Sequence, residues 1–269
     1  MSLSVAILNY NNAALTKDAL DSVLAQRMQP DEIVVFDNGS ETYQSLLLVD
    51  IVEERREGTA TPIVMHRVDH NQGNIAGMNM AIEACSNEFV VFMANDVRLH
   101  SDCLDQLHMA LLTNPDLGIV QPILYQPNGD IDNVGLSWRW PGYGLRIRQL
   151  LGRLGGIMGV DAVAATCFGV RKSFFQHLGG FDDRLGISHE DIDFGIRVRK
   201  AGAWCGAYLQ PSATHLMGQT IPQTVSKLRP YYRDARQRVI RTHYQGWDQS
   251  ARLAAVRLLD GVAARVRGG

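Results

Sequence analysis

Four times in its first hundred residues the chain runs apolar and then stops on a polar cluster. Residues 3–8 stop at Asn9-Tyr10-Asn11-Asn12 and residues 32–36 at Asp37-Asn38-Gly39-Ser40. Residues 62–68 stop before His70-Asn71-Gln72-Gly73-Asn74, and residues 88–93 at Ala94-Asn95-Asp96. Short, largely apolar runs mark strands buried on both faces. Between them lie stretches that suit helices. The first covers 12–26, with Asn12 as N-cap and Leu15, Ala19, Ser22 and Val23 at helical spacing. The second covers 41–56, with Leu46, Leu47, Val49 and Ile51 as its apolar face, and the third is a small-residue helix over 75–84. Parallel strands need crossover connections, and crossovers are usually helices. This alternation therefore specifies βαβ units and a mainly parallel sheet flanked by helices. All four polar clusters then fall at one sheet edge, the place where open α/β sheets bind ligands.

The remainder is less regular. A helix is expected over 102–113, ended by Asn114-Pro115, then a strand pair or bent strand over 118–125 and a turn at Asn128-Gly129-Asp130. Residues 138–156 hold Trp138, Trp140, Tyr143, four Arg and repeated Gly. They predict a long irregular loop, either functional or docked on the body by its aromatics. A strand over 160–170, a short helix over 171–178, the turn Gly179-Gly180-Phe181-Asp182, a helix over 190–201, a strand over 203–209 and a loop over 211–215 follow. The chain is then helical from Val225, with a weakly amphipathic segment over 253–266.

Composition removes several classes of function. Of 269 residues, 46% are hydrophobic and 20% charged, which suits a globular body with a substantial core. A formal net charge of −2 argues against nucleic-acid binding. It hides an asymmetry: residues 221–269 hold ten Lys and Arg against three Asp, which leaves a net −9 on residues 1–220. A basic tail on an acidic body suits either an anionic partner, such as a membrane surface or a phosphorylated substrate, or a solvated helical extension. Cys85, Cys103, Cys167 and Cys205 lack metal-site spacing and suit free thiols in a reducing cytoplasm. The first residues lack the features of a signal peptide, and no run approaches the roughly 20 apolar residues of a membrane helix, so any membrane role is expected to be peripheral.

The polar clusters suggest chemistry. Asp37 can accept a hydrogen bond from a base or ribose, and Gly73 and Gly77 would allow close backbone approach. The glycine fingerprint of dinucleotide binding is missing after the first strand, which disfavours an oxidoreductase, and no P-loop is present. Asp96 can ligate a divalent cation, with His215 as a second ligand; equally, Asn95-Asp96 can start a turn and His215 can be structural. Glu190, Asp191 and Asp193 crowd the start of a helix. Such acids either complement the helix dipole or raise one another's pKa toward that of a general base.

In order along the chain, SVAILNYNN, EIVVFDNGS, NQGNIAGMNMAI, FVVFMANDV, GGFDDRLGISHEDIDFGIRVRKAG and PSATHLMG resemble the motifs of family 2 glycosyltransferases of the GT-A fold, over residues 3–217. The resemblance implies a GT-A (Rossmann-like) sheet with a C-terminal helical extension. A glycosyltransferase domain would cover 1–220, its nucleotide-sugar half about 1–97 and its acceptor half about 98–220, with a basic helical extension over 221–269. It implies donor contacts at Asn9, Asp37, Asn38, Asn71, Gly73 and Asn95, and Mg²⁺ or Mn²⁺ at Asp96 and His215. Asp191, beside Glu190, would be the base of an inverting transfer, with Trp138, Trp140 and Asp193 toward the acceptor. The DxD-type triplet departs from the pattern. It is Ala94-Asn95-Asp96, where the rhamnosyltransferase-like branch often carries Asn-x-Asp or Asn-Asn-Asp. The resemblance implies a nucleotide-diphosphate sugar donor, of which dTDP-rhamnose is the branch example. The acceptor would be a glycan or a lipid-linked sugar in cell-surface polysaccharide synthesis, at the cytoplasmic face of the membrane. The C-terminal segment would rest on that membrane, pack on the body or pair two copies. Ala94 motivates the competing expectation of a nucleotide-sugar-binding protein without turnover.

Overall fold

The computed structural model describes residues 2–149, 155–216 and 225–268. The expected alternation forms β1 (Leu3–Asn9), α1 (Ala13–Leu24), β2 (Glu32–Asp37), α2 (Thr42–Glu57), β3 (Ile63–Arg67), α3 (Asn74–Glu83) and β4 (Phe89–Ala94). Strands β4, β1, β2 and β3 lie side by side and parallel, with Asn9 opposite Asp37 and Leu8 opposite Ala94. Period-two alternation explains the apolar runs. Val5 and Ile7 face a core shared with Leu20, Leu48 and Leu107, while Ala6 and Leu8 face the opposite core with Ile82, Phe194 and Val239.

The same sheet continues through the second half. After β5 (Val97–Leu99) and α4 (Cys103–Thr113) come β6 (Leu117–Tyr125), β7 (Ile131–Asn133), β8 (Leu136–Arg139), β9 (Tyr143–Arg146), β10 (Ile157–Val160) and β11 (Cys167–Arg171). Then follow α5 (Lys172–His177), a 3-10 turn (Asp183–Leu185), α6 (Glu190–Lys200), β12 (Trp204–His215), α7 (Val225–His243) and α8 (Gly246–Gly268). Strand β11 runs antiparallel between β4 and β6, β12 lies parallel beside β6, and β10 closes that edge. Strands β5 and β7 pair with β12 and β6, giving this sheet ten strands among the described residues.

Several expectations need correction. Residues 211–215 are not a loop: β12 runs on to His215, with a register shift between Ala207 and Ser212. A break in the ladder is where a strand tolerates a proline such as Pro211. Residues 138–146 are not irregular, because β8 and β9 form a two-stranded hairpin; residues 150–154 of that segment lie outside the described residues. The 160–170 strand is two strands, β10 and β11, on different neighbours, and 118–125 lies within one strand, β6. In α2 the buried face is Ser45, Leu48, Ile51 and Val52, whereas Leu46 and Val49 face solvent. Asn12 makes no side-chain cap.

Helix α7 packs on the body. Ala235 and Val239 join the core that contains Phe181, Ile192 and Phe194. A staple of two hydrogen bonds joins α3 to the GGF turn: Asn79 Nδ2 donates to Phe181 O and Phe181 N donates to Asn79 Oδ1, both at 2.9 Å. Gly180, at φ 68°, allows this approach, since a Cβ there would lie 2.9 Å from Asn79 Oδ1. No helix among the described residues is long and apolar enough to cross a membrane.

Candidate active site

Parallel pairing brings Asn9, Asp37 and Asn95 together at the C-terminal edge of the sheet. Asn9 Nδ2 donates to Asp37 Oδ1 and Ser40 Oγ, each at 3.0 Å, and Asn9 Oδ1 accepts from Thr16 Oγ1 at 2.8 Å. Asn95 is buried. Its Nδ2 lies within hydrogen-bond reach of Asn9 Oδ1, the Asn12 carbonyl and Thr16 Oγ1. Asn9 and Asn95 thus knit β1, β4 and α1 into one rigid floor. Asp37 is fully buried; Ser40 Oγ also donates to its Oδ1, but Oδ2 has no hydrogen-bond partner. A buried carboxylate oxygen without a donor is costly, so an unpartnered acceptor here is a chemical demand. Arg67 Nε stands 3.6 Å from that oxygen.

Asn38 turns away from the crevice. Its Nδ2 donates to Gly73 O (3.0 Å) and Asn71 Oδ1 (3.2 Å), and its Oδ1 accepts from Gln72 N (3.2 Å). Gly77 is small because Asn38 is there: a Cβ would sit 2.7 Å from Asn38 Nδ2. The close approach expected at Gly77 is thus to this side chain. Asn71 and Gly73 lie exposed at the start of α3, with open space beside Gly73.

A second centre forms across the sheet. The β5–β12 pairing sets His215 opposite Val97, the residue after Asp96, and Leu216 N donates to Asp96 O at 2.8 Å. His215 Nε2 therefore faces Asp96 Oδ2 at 3.5 Å. The other ring nitrogen, Nδ1, meets Asp132 Oδ2 at 3.1 Å, and Asp132 Oδ1 is paired with Arg146. Burial disfavours a charged ring, but the two carboxylates outweigh it and hold His215 up at about 9. One carboxylate and one imidazole suit Mg²⁺ or Mn²⁺, which complete their shells with water and phosphate oxygens. Among the described residues no cluster of three or more His, Cys, Asp or Glu forms a closed protein cage. Ala94 packs its methyl against the core.

Glu190 and Asp191 open α6. Glu190 is buried with Oε2 unpartnered, and Asp191 is half-buried with Oδ1 accepting from Ile192 N at 2.7 Å. Burial raises both carboxyl groups above the ordinary range, and the neighbouring Asp191 charge raises Glu190 further. The Ile192 amide and the Arg146 charge offset part of the rise at Asp191. The two environments thus differ: Asp191 has a backbone donor and a cation's charge against its burial, whereas Glu190 Oε2 has no donor.

Asp193 is not brought to the crevice. It is buried between α6 and α7, with Oδ2 taking Arg197 (2.6 and 2.8 Å) and Oδ1 meeting His243 Nε2 at 2.7 Å. Trp138 is half-buried, its Nε1 donating to Tyr244 Oη at 2.8 Å and its ring edge-on to His189. Trp140 stands 61% exposed at the hairpin tip. Asp132 was not legible in the sequence as a site residue, because only the pairing of β7 and β12 with β6 brings it to His215; Arg146, a candidate for phosphate in the sequence, meets Asp132 instead.

Residues 4–179 match the family model described as Glycosyl transferase family 2. The chain belongs to that family. The transferase is 26% identical over 201 residues to the O-antigen biosynthesis protein RfbC of Myxococcus xanthus, covering 70% of this chain but 15% of that protein. It is 24% identical over 243 residues to an N-acetylglucosaminyl-diphospho-decaprenol L-rhamnosyltransferase of Mycobacterium tuberculosis, covering 78% of this chain and 74% of the relative. Among solved structures it superposes on GalNAc-T7 with UDP, GalNAc and Mn²⁺ at a TM-score of 0.68 and 16% identity, over 86% of this chain and 48% of that one. On residues 1–349 of S. aureus TarS in complex with UDP the TM-score is 0.58 at 17% identity, over 95% and 70%. The transferase thus spans under a fifth of RfbC and about half of GalNAc-T7. The fold is GT-A.

Proposed function

We propose that this transferase moves a sugar, with inversion, from a nucleoside diphosphate sugar to a hydroxyl of a glycan or lipid-linked acceptor. The observation that carries the reading is the line of charged contacts from Asp96 through His215 and Asp132 to Arg146, whose charge also lowers the raised Asp191 carboxyl. Asp191 takes the proton from the acceptor hydroxyl as its oxygen attacks the anomeric carbon, and the nucleoside diphosphate leaves from the opposite face. Mg²⁺ or Mn²⁺ held by Asp96 and His215 would supply positive charge to the leaving diphosphate. The unpartnered Asp37 Oδ2 offers an acceptor to a base or ribose donor once Arg67 moves aside.

The rhamnosyltransferase relative supports a deoxysugar donor such as dTDP-rhamnose and a diphosphate-linked acceptor. Arg184, Arg238 and Arg241 line a cavity of about 490 Å³ between the 3-10 turn and α7, which suits phosphate groups on that acceptor. The positive surplus of residues 221–269 suits the cytoplasmic face of an anionic membrane. Asp191→Asn tests the reading. It should keep nucleoside diphosphate binding while transfer falls about 10²–10⁴-fold, the usual contribution of a positioned base. Unchanged turnover in that variant removes Asp191 from the role. In the wild-type protein, donor binding without any turnover would instead support the binding-only alternative.

A further inference from the structure

We propose that Asp132 and Arg146 are positioning residues of the transfer site: Asp132 fixes the His215 ring for the cation, and Arg146 secures Asp132 from the β8–β9 hairpin. The inference rests on the Asp96–His215 cation reading and adds two residues outside the six motif segments named above.

Asp132 is fully buried, which an acidic side chain tolerates only when its oxygens are taken. Its position follows from the sheet. Strands β7 and β12 flank β6, with Asn133 opposite Leu124 on one side and Ala213 opposite the same residue on the other. Asp132 and His215 therefore converge at the end of β6, and Oδ2 meets Nδ1 at 3.1 Å. A carboxylate at Nδ1 keeps the proton on that nitrogen. Were a cation to take the place of the Nε2 proton, the lone pair of that nitrogen would face the Asp96 side, 3.5 Å away. This is the carboxylate–imidazole–cation arrangement that sets ring orientation and ligand basicity.

Arg146 occupies the remaining oxygen of Asp132. It lies at the base of the hairpin, where Leu136 pairs with Arg146 and Ile147 N donates to Gly135 O at 2.9 Å. The guanidinium is partly exposed, and its charge is also felt at Asp191. Docking of the hairpin and orientation of the cation ligand thereby share one residue.

The test is a titration of the full chain with Mn²⁺, alone and with UDP, reading free Mn²⁺ by electron paramagnetic resonance. His215→Ala serves as the reference. Asp132→Asn should weaken Mn²⁺ binding about 10–100-fold, the usual effect of losing such a partner, and Arg146→Gln should weaken it in the same direction by less. UDP binding without Mn²⁺ should be unchanged in all three, which separates mispositioning from misfolding. Wild-type Mn²⁺ affinity in both Asp132→Asn and Arg146→Gln, alongside loss in His215→Ala, overturns the positioning roles and leaves the cation site standing. Wild-type affinity in His215→Ala overturns the cation site itself, and the positioning roles with it. Should Asp132→Asn not fold, Arg146→Gln on the partly exposed hairpin decides the matter.

Discussion

At the first turn of α6 two adjacent carboxyl groups share a buried position, and their surroundings separate them. Glu190 has no donor at Oε2, whereas Asp191 keeps the Ile192 amide and the field of Arg146. In the proposed role of base, Asp191 works only when deprotonated, and burial raises its pKa. Transfer should therefore increase with pH along an acid limb placed above the ordinary carboxylate range. Arg146→Gln removes a charge that lowers Asp191, so it should move that limb to higher pH; profiles of kcat for both proteins check the direction. The acids themselves are readable in the chain, because a run of three carboxylates at a helix start is conspicuous. Their division of labour is not. Asp193 looks like its neighbours in sequence, yet two residues further on it faces α7. Likewise the Asn38 amide bonds to Gly73, Asn71 and Gln72, and the Asn95 amide nitrogen to Asn9, Asn12 and Thr16, bracing contacts that only the folded sheet edge reveals.

Among elements, α6 and α7 are joined by the buried Asp193 with Arg197 and His243. Removing Asp193 would leave the Arg197 guanidinium without its carboxylate and the His243 ring without its hydrogen-bond partner. Asp193→Ala should therefore lower stability by about 3–5 kcal/mol, read from urea unfolding. The outer face of the same helix carries Tyr231, Asp234, Arg238 and Arg241 at helical spacing along the basic cavity. If phosphate on the acceptor lies there, joint replacement of Arg238 and Arg241 by Ala should raise the acceptor KM by tenfold or more, on the order of 1.4 kcal/mol. The donor KM and kcat should stay unchanged in steady-state assays. Element types were largely legible, since apolar runs and helical spacing report local burial. What failed was local: α2 turns a different face inward, and Pro211 disguises the end of β12 as a loop. Both are set by neighbours distant in sequence.

For the whole molecule, β11 lies between β4 and β6, so the first four strands and the later ones share one hydrogen-bonded sheet. Ligands that bind only the folded form stabilise such a unit as a whole. A nucleoside diphosphate with Mn²⁺ at about a hundred times its Kd should add about 2.7 kcal/mol. For a body of this size each kcal/mol raises Tm by roughly 2–4 °C. A thermal scan with and without EDTA checks this: chelation should return Tm to the value with nucleotide alone. The β5–β12 pairing has a consequence for biosynthesis. Asp96 is translated early and His215 only near the end of the sheet-forming sequence. A ribosome-bound chain can complete β1 to β4 and their polar C-terminal edge before it owns the partner strand. Competence for the cation would then arrive abruptly, with the docking of the last strand, so prematurely terminated chains would be inert at the diphosphate even where their first half has folded.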